Sequence, residues 1–157
     1  MNIKVFSREN CIKYVKKNKN NNRAVISITD IKSELPFKLA EESAVLFLQF
    51  DDEECGERAM TQQHANTIAS FIKSLNGNVD EIVVHCEAGV SRSAAVAAAI
   101  SFSINGDDAE FFKFPYYPNK HCYRLMLEAF GFDLKQLFLT QKYEDNIQDI
   151  IKHIDEL

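Results

Sequence analysis

The chain has 157 residues, 46% of them apolar and 26% charged, a length and composition that predict one globular domain over residues 1–157 and exclude disorder, collagen-like repetition and a multidomain assembly. Eighteen Lys and Arg against 23 Asp and Glu give a formal charge of −5, so no general field draws the protein to nucleic acid or to an anionic membrane, although a local positive pocket stays open to it. The opening MNIKVFSREN is charged and lacks the apolar stretch of a leader, and no run approaches the roughly 18 apolar residues of a membrane span, which predicts a cytoplasmic protein.

Residues 3–6 are a short β-prone run, and Ser7 is placed to cap a helix that carries Cys11, Ile12 and Val15 on one side. The polar stretch 18–23 ends that helix as a solvated turn. AVISI, residues 24–28, has the pattern of a buried strand closed by Thr29-Asp30. VLFLQF, residues 45–50, is apolar on both faces, as expected where helices cover a parallel sheet on each side. It runs into the acidic loop Asp51-Asp52-Glu53-Glu54. Thr61 is a plausible N-cap for a helix with Ala65, Ile68, Ala69, Ile72 and Leu75 on its apolar face and Gln63, Asn66, Ser70 and Lys73 on the other. After Asn76-Gly77-Asn78 comes a third apolar strand, EIVVH, residues 81–85. An Ala-rich helix over 94–100, buried nearly all round, stops at Asn105-Gly106, and two more helices are predicted near 119–130 and 143–157. Strands alternating with helices give an α/β fold: a mostly parallel central sheet of about four to five strands with helices on both faces.

The four cysteines, Cys11, Cys55, Cys86 and Cys122, are far apart and too few for a disulfide framework. His85-Cys86 and His121-Cys122 pair two ligand types, but adjacent residues diverge on either a strand or a helix, so neither pair chelates one ion and no metal site is expected.

The segment His85-Cys86-Glu87-Ala88-Gly89-Val90-Ser91-Arg92-Ser93 sets a cysteine at the carboxyl end of a strand and opens a helix through a glycine-containing turn, at the sheet edge where α/β proteins bind ligands. Unpaired amides and a partial positive charge at a helix N-terminus make an anion site of phosphate size, and the same field favours a thiolate on a cysteine placed there. Gly89 permits the tight turn, and Arg92, six residues after the cysteine, can hold two phosphate oxygens.

This HCxxGxSRS run resembles the signature of the cysteine-dependent protein tyrosine and dual-specificity phosphatases: Cys, five residues, Arg, then Ser or Thr. The preceding apolar strand, His85, Gly89, Ser93 and the following helix all fit it. AVISITD resembles the strand and turn before the acid loop of dual-specificity members, Tyr117-Pro118-Asn119 sits where many carry Pro-Asn before a late helix, and the whole is most similar to small bacterial proteins of this type. The resemblance implies that Cys86 attacks phosphorus and forms a phosphocysteine. The amides of Glu87, Ala88, Gly89, Val90, Ser91 and Arg92, with the Arg92 guanidinium, then stabilise the equatorial oxygens. It implies that Ser93 helps the sulfur leave, that His85 and Asn119 support the site, and that neither metal nor cofactor is needed.

A second group must protonate the leaving oxygen and later activate water. The family places an Asp just past the strand before the long helix, which selects Asp52, with Asp51 next because registers slip by one residue. Cys55, three residues on, is either a surface cysteine or a reversible disulfide partner for Cys86. Expected ligands are a phosphorylated protein or small aryl phosphate as substrate, and phosphate, sulfate or vanadate as loop-bound anions. With Glu87 in the loop and Arg92 its sole cation, polyanionic substrates are less attractive. The missing phosphotyrosine-clamping loop implies a shallow pocket. Two other readings are a catalytically weak phosphoprotein-binding module, favoured if Asp51 and Asp52 both lie far from the pocket, and a sulfur-transfer or arsenate-type enzyme, against which Ser91-Arg92-Ser93 speaks.

Overall fold

Ser7 Oγ accepts the Asn10 amide at 3.3 Å and so satisfies a donor that the start of a helix leaves unpaired. This turns the chain from β1 (Asn2–Ser7) directly into α1 (Arg8–Lys17). The computed structural model, which describes residues 1–20, 22–41 and 43–137, continues with β2 (Arg23–Thr29), a 3-10 turn at Phe37–Glu41, and β3 (Ala44–Gln49). Then come α2 (Gln62–Ser74), β4 (Glu81–Cys86), α3 (Arg92–Asn105), a second 3-10 turn at Ala109–Phe112, and α4 (Lys120–Ala129). Thr61 caps α2 through a reciprocal pair of bonds with His64, and Gly106 ends α3 in the left-handed region at φ 74°. The helix expected over 143–157 lies outside the described residues.

Among the described residues four strands pair in the order β1-β4-β2-β3, all parallel, with Ser7 opposite Cys86 and Ser27 opposite His85. Parallel pairing brings every strand's carboxyl end to one edge. The two central strands, β2 and β4, are buried along their whole length, and period-two alternation splits their side chains between two layers. Val25 and Val83 pack with Cys11 and Val15 of α1, while Ile26, Ile28, Ile82 and Val84 face a larger core shared with α2, α3 and α4. The fold is the expected α/β arrangement with four parallel strands. One expectation changes: β3, read as buried on both faces, is an edge strand in which only Leu48 is fully buried. An apolar run reports β propensity and does not reveal which strand stands at the rim. Phe47 there packs on Phe37, ring centroids 5.5 Å apart.

At the opposite, amino-terminal edge the sheet carries a buried charge cluster. Arg23, 2% exposed, donates through Nε to Glu81 at 2.6 Å, and Glu81 also accepts from Tyr14 at 2.7 Å and pairs with Lys4 at 2.8 Å. Burial pushes the Glu81 carboxyl up, but the hydrogen bonds from Lys4, Arg23 and Tyr14 outweigh it, so the net shift is downward. Removing one partner of such a pair strands the other charge in the interior. Glu81→Ala is therefore expected to destabilise the protein by about 3–5 kcal/mol in urea unfolding. Lys4→Ala, at a half-exposed partner, should cost about 1 kcal/mol or less.

Candidate active site

Cys86 is the last residue of β4, buried at the carboxyl edge of the sheet. Its Sγ lies 3.0 Å from Ser93 Oγ and accepts the Gly89 amide at 3.3 Å. Burial instead pushes the Cys11 and Cys122 thiols up to about 12, which leaves them protonated at neutral pH. Gly89 has φ +73°, and a Cβ there would overlap the Phe6 carbonyl and the Ser7 amide nitrogen, so only glycine lets the loop fold down on the end of β1. The Arg8 amide donates to the Glu87 carbonyl at 3.2 Å and fastens the loop to the start of α1.

His85 is fully buried on β4, its Nδ1 3.2 Å from the Cys86 carbonyl and its Nε2 2.7 Å from Ser27 Oγ. Burial lowers its pKa to about 4, so the ring is neutral at physiological pH. A carbonyl only accepts, so Nδ1 carries the proton and donates to Cys86, and Nε2 accepts from the Ser27 hydroxyl.

Arg92 opens α3 and is 4% exposed. Its Nη1 donates to the Phe50 carbonyl at 2.6 Å and pairs with Asp30 Oδ1 at 2.7 Å, while its buried Nε has no protein partner. Ser91 stands at the N-cap of α3 but makes no side-chain cap bond. Its hydroxyl donates to Asp52 Oδ1 at 2.9 Å instead, leaving the first amides of the helix uncapped from within. Asn119 Nδ2 donates to the same Asp52 oxygen at 2.8 Å, and Asn119 Oδ1 caps α4 at the Cys122 amide, 2.9 Å away. Both donors take Oδ1, and among the described residues Oδ2 receives none.

The two candidate acids separate clearly. Asp52 is exposed and bonded to the cysteine-containing loop. Asp51 is 6% exposed and has other partners: its Oδ1 accepts the Ile31 amide at 3.0 Å, and Oδ2 pairs with Arg58. The Ile31 amide first, and Arg58 beside it, hold the Asp51 carboxyl below the usual range, which suits an anchor that stays charged. Glu87 turns outward, its Oε1 accepting from the Asp30 amide at 3.3 Å and from Arg8 at 3.4 Å.

The profile of the dual specificity phosphatase catalytic domain matches residues 2–108. The chain belongs to the dual specificity phosphatase family. It is accordingly a cysteine-dependent phosphatase of the protein tyrosine and dual-specificity type. Solved structures of similar fold include DUSP15, at 21% identity with 90% of each chain covered and a TM-score of 0.59. Human DUSP28 matches at 16% identity over 88% of this chain and 94% of that one, TM-score 0.59. The phosphatase PTP-2 of Cydia pomonella matches at 19% identity over 80% and 84%, TM-score 0.56. No curated protein matches the sequence.

Within this phosphatase domain the structure brings together Cys86, Ser93, Arg92, Asp52, Asn119 and the loop from Glu87 to Ser91, with His85 beneath it. The motif did not single out Asp30, the Phe50 carbonyl or Ser27. Asp30 carried a readable signal, because it closes AVISITD at the carboxyl end of a strand, the edge where ligands collect. Cys55 is exposed and unpaired.

The neutral His85 has a measurable consequence. Its folded pKa lies below the ordinary 6.5, so the unfolded chain takes up a proton there that the folded chain refuses. The stability tied to this difference is complete above pH 6.5 and is lost as pH falls toward 4, by up to about 3 kcal/mol. Urea unfolding at stepped pH should show that slope in the native protein and a flatter one in His85→Gln. Equal slopes would place the charge change elsewhere.

Proposed function

We propose that the protein acts as a protein tyrosine or dual-specificity phosphatase, hydrolysing phosphomonoesters on phosphorylated proteins and small aryl phosphates through a phosphocysteine on Cys86. Cys86 Sγ attacks phosphorus in line; the S–P bond forms as the bond to the ester oxygen breaks, and Asp52 gives its proton to that leaving oxygen. The amides of Glu87, Ala88, Gly89, Val90, Ser91 and Arg92, with the Arg92 guanidinium, take the equatorial oxygens. Water then attacks phosphorus, Asp52 takes its proton, and the S–P electron pair returns to sulfur. The Ser93 hydroxyl, 3.0 Å from Sγ, stabilises the departing thiolate.

The observation that carries this reading is the carboxylate of Asp52 tied to the phosphate loop through Ser91 at 2.9 Å, with Asn119 on the same oxygen. It speaks against a mere phosphate-docking module, which would lack an acid at the pocket. Phosphate, sulfate and vanadate are the anions the loop should hold. Arg8 and Arg58 are engaged by Glu87 and Asp51, which supports a single-phosphoryl substrate over a polyanion. No helix among the described residues is long and apolar enough to cross a membrane, and with all four thiols free we place the protein in the cytoplasm.

Hydrolysis of an aryl phosphate in EDTA, from about pH 5 to 8, tests the scheme. The native protein should be active; Cys86→Ser should be inactive. Asp52→Asn should lose about 10²-fold in kcat and the basic limb of the profile, because that limb reports deprotonation of the acid. Asp51→Asn should keep the limb. A basic limb that survives in Asp52→Asn and disappears in Asp51→Asn would reverse the assignment.

A further inference from the structure

The hydrolysis makes no direct use of Asp51, yet each of its polar groups has a partner. Its amide donates to the Arg58 carbonyl at 2.7 Å, and its carbonyl accepts the Glu53 amide at 2.9 Å. Its Oδ1 accepts the Ile31 amide at 3.0 Å, and Oδ2 pairs with the Arg58 guanidinium. Asp51 and Arg58 thus meet twice, once through backbone and once through side chains, and close the acid loop at its base. Between them Gly56, at φ +100°, turns the chain back, and the Ala59 amide donates to the Gly56 carbonyl at 3.3 Å. The Ile31 contact fastens that base to the exit of β2. Beyond it, His121 Nε2 donates to the Met60 carbonyl at 2.8 Å and ties the end of the loop to α4.

The residue so held is the one before Asp52. With its amide, carbonyl and carboxylate all bonded, Asp51 fixes the direction in which the chain enters Asp52, and Ser91 and Asn119 then settle the Asp52 side chain. We infer that Asp51 and Arg58 form a latch: Asp51 is a positioning residue that, with Arg58, holds the acid loop against the phosphate loop so that Asp52 meets the leaving oxygen. The inference rests on the reading of Asp52 as the general acid and goes beyond it by naming what keeps that acid in place. Asp51 acts through Asp52 and gives no proton itself. Displacing a reacting group by about 1 Å can cost about 10²-fold in rate, so a loop freed at its base loses catalysis without losing its acid.

The test is the dependence of kcat/KM on the leaving group. Phenolate is basic and departs only with a proton, whereas dinitrophenolate departs without one. The ratio of kcat/KM for phenyl phosphate to that for dinitrophenyl phosphate therefore reads the acid, and it does not move when only the folded fraction or the phosphate loop is damaged. Asp51→Ala should lower the phenyl phosphate value about tenfold and the dinitrophenyl value by no more than about twofold, with the basic limb of the pH profile retained. Arg58→Ala, which leaves the Ile31 contact in place, should lower the ratio about threefold, and Arg58→Lys should restore most of it. These exposed-site variants also serve if Asp51→Ala fails to fold. Placed on Asp52→Asn, Asp51→Ala should move the ratio no further, since no acid remains to be positioned. A ratio unchanged in Asp51→Ala and Arg58→Ala, while Asp52→Asn lowers it, would overturn the latch alone. A ratio unchanged in Asp52→Asn would overturn the acid assignment and the latch with it. Loss of the basic limb in Asp51→Ala would make Asp51 the acid itself and overturn the inference.

Discussion

A guanidinium removed from water has to be met by acceptors, and the site is organised around that requirement. Arg92 is 4% exposed because α3 enters the core at its first turn, so its charge cannot be left to solvent. Three separate segments converge on it or its neighbours: the end of β2 through Asp30, the end of β3 through the Phe50 carbonyl, and the loop after β4 that carries it. Each segment ends at the same sheet edge because all four strands run parallel. The fold thus supplies acceptors for Nη1 of the arginine and none for its buried Nε.

The same economy holds for the cysteine. Its sulfur ends a buried strand 3.0 Å from Ser93 Oγ, and the Gly89 amide donates to it at 3.3 Å. Gly89 can do so because it alone fits against Phe6 and Ser7, where any side chain would collide with β1. Below, His85 is neutral and spends Nδ1 on the Cys86 carbonyl, tying the strand end to Ser27 on β2. Burial holds Cys11 and Cys122 as protonated thiols.

How much of this could be read in the chain differs by kind of interaction. Local chemistry was legible: Ser7, Thr61 and Asn119 cap the helices they precede, and Gly106 ends α3, because caps depend on a few neighbouring residues. The loop was legible as well, since Cys86, Gly89, Arg92 and Ser93 are close in sequence. What the chain conceals is lateral placement. Phe47 belongs to an apolar run whose edge position only pairing reveals, and Asp30 meets Arg92 across 62 positions through the order β1-β4-β2-β3. The choice between Asp51 and Asp52 is of the same kind. Neighbours on one loop, they point to different partners, Asp51 to Ile31 and Arg58, Asp52 to Ser91 and Asn119.

The proposed hydrolysis depends on a covalent step at one sulfur. Acid-quenched mass spectrometry of the protein during turnover of an aryl phosphate addresses it directly. A phosphoryl group should be found on the peptide that contains Cys86, formed within the first turnover and lost as substrate is exhausted. Sustained hydrolysis with no phosphoryl adduct on that peptide, or with the adduct on another residue, would contradict it.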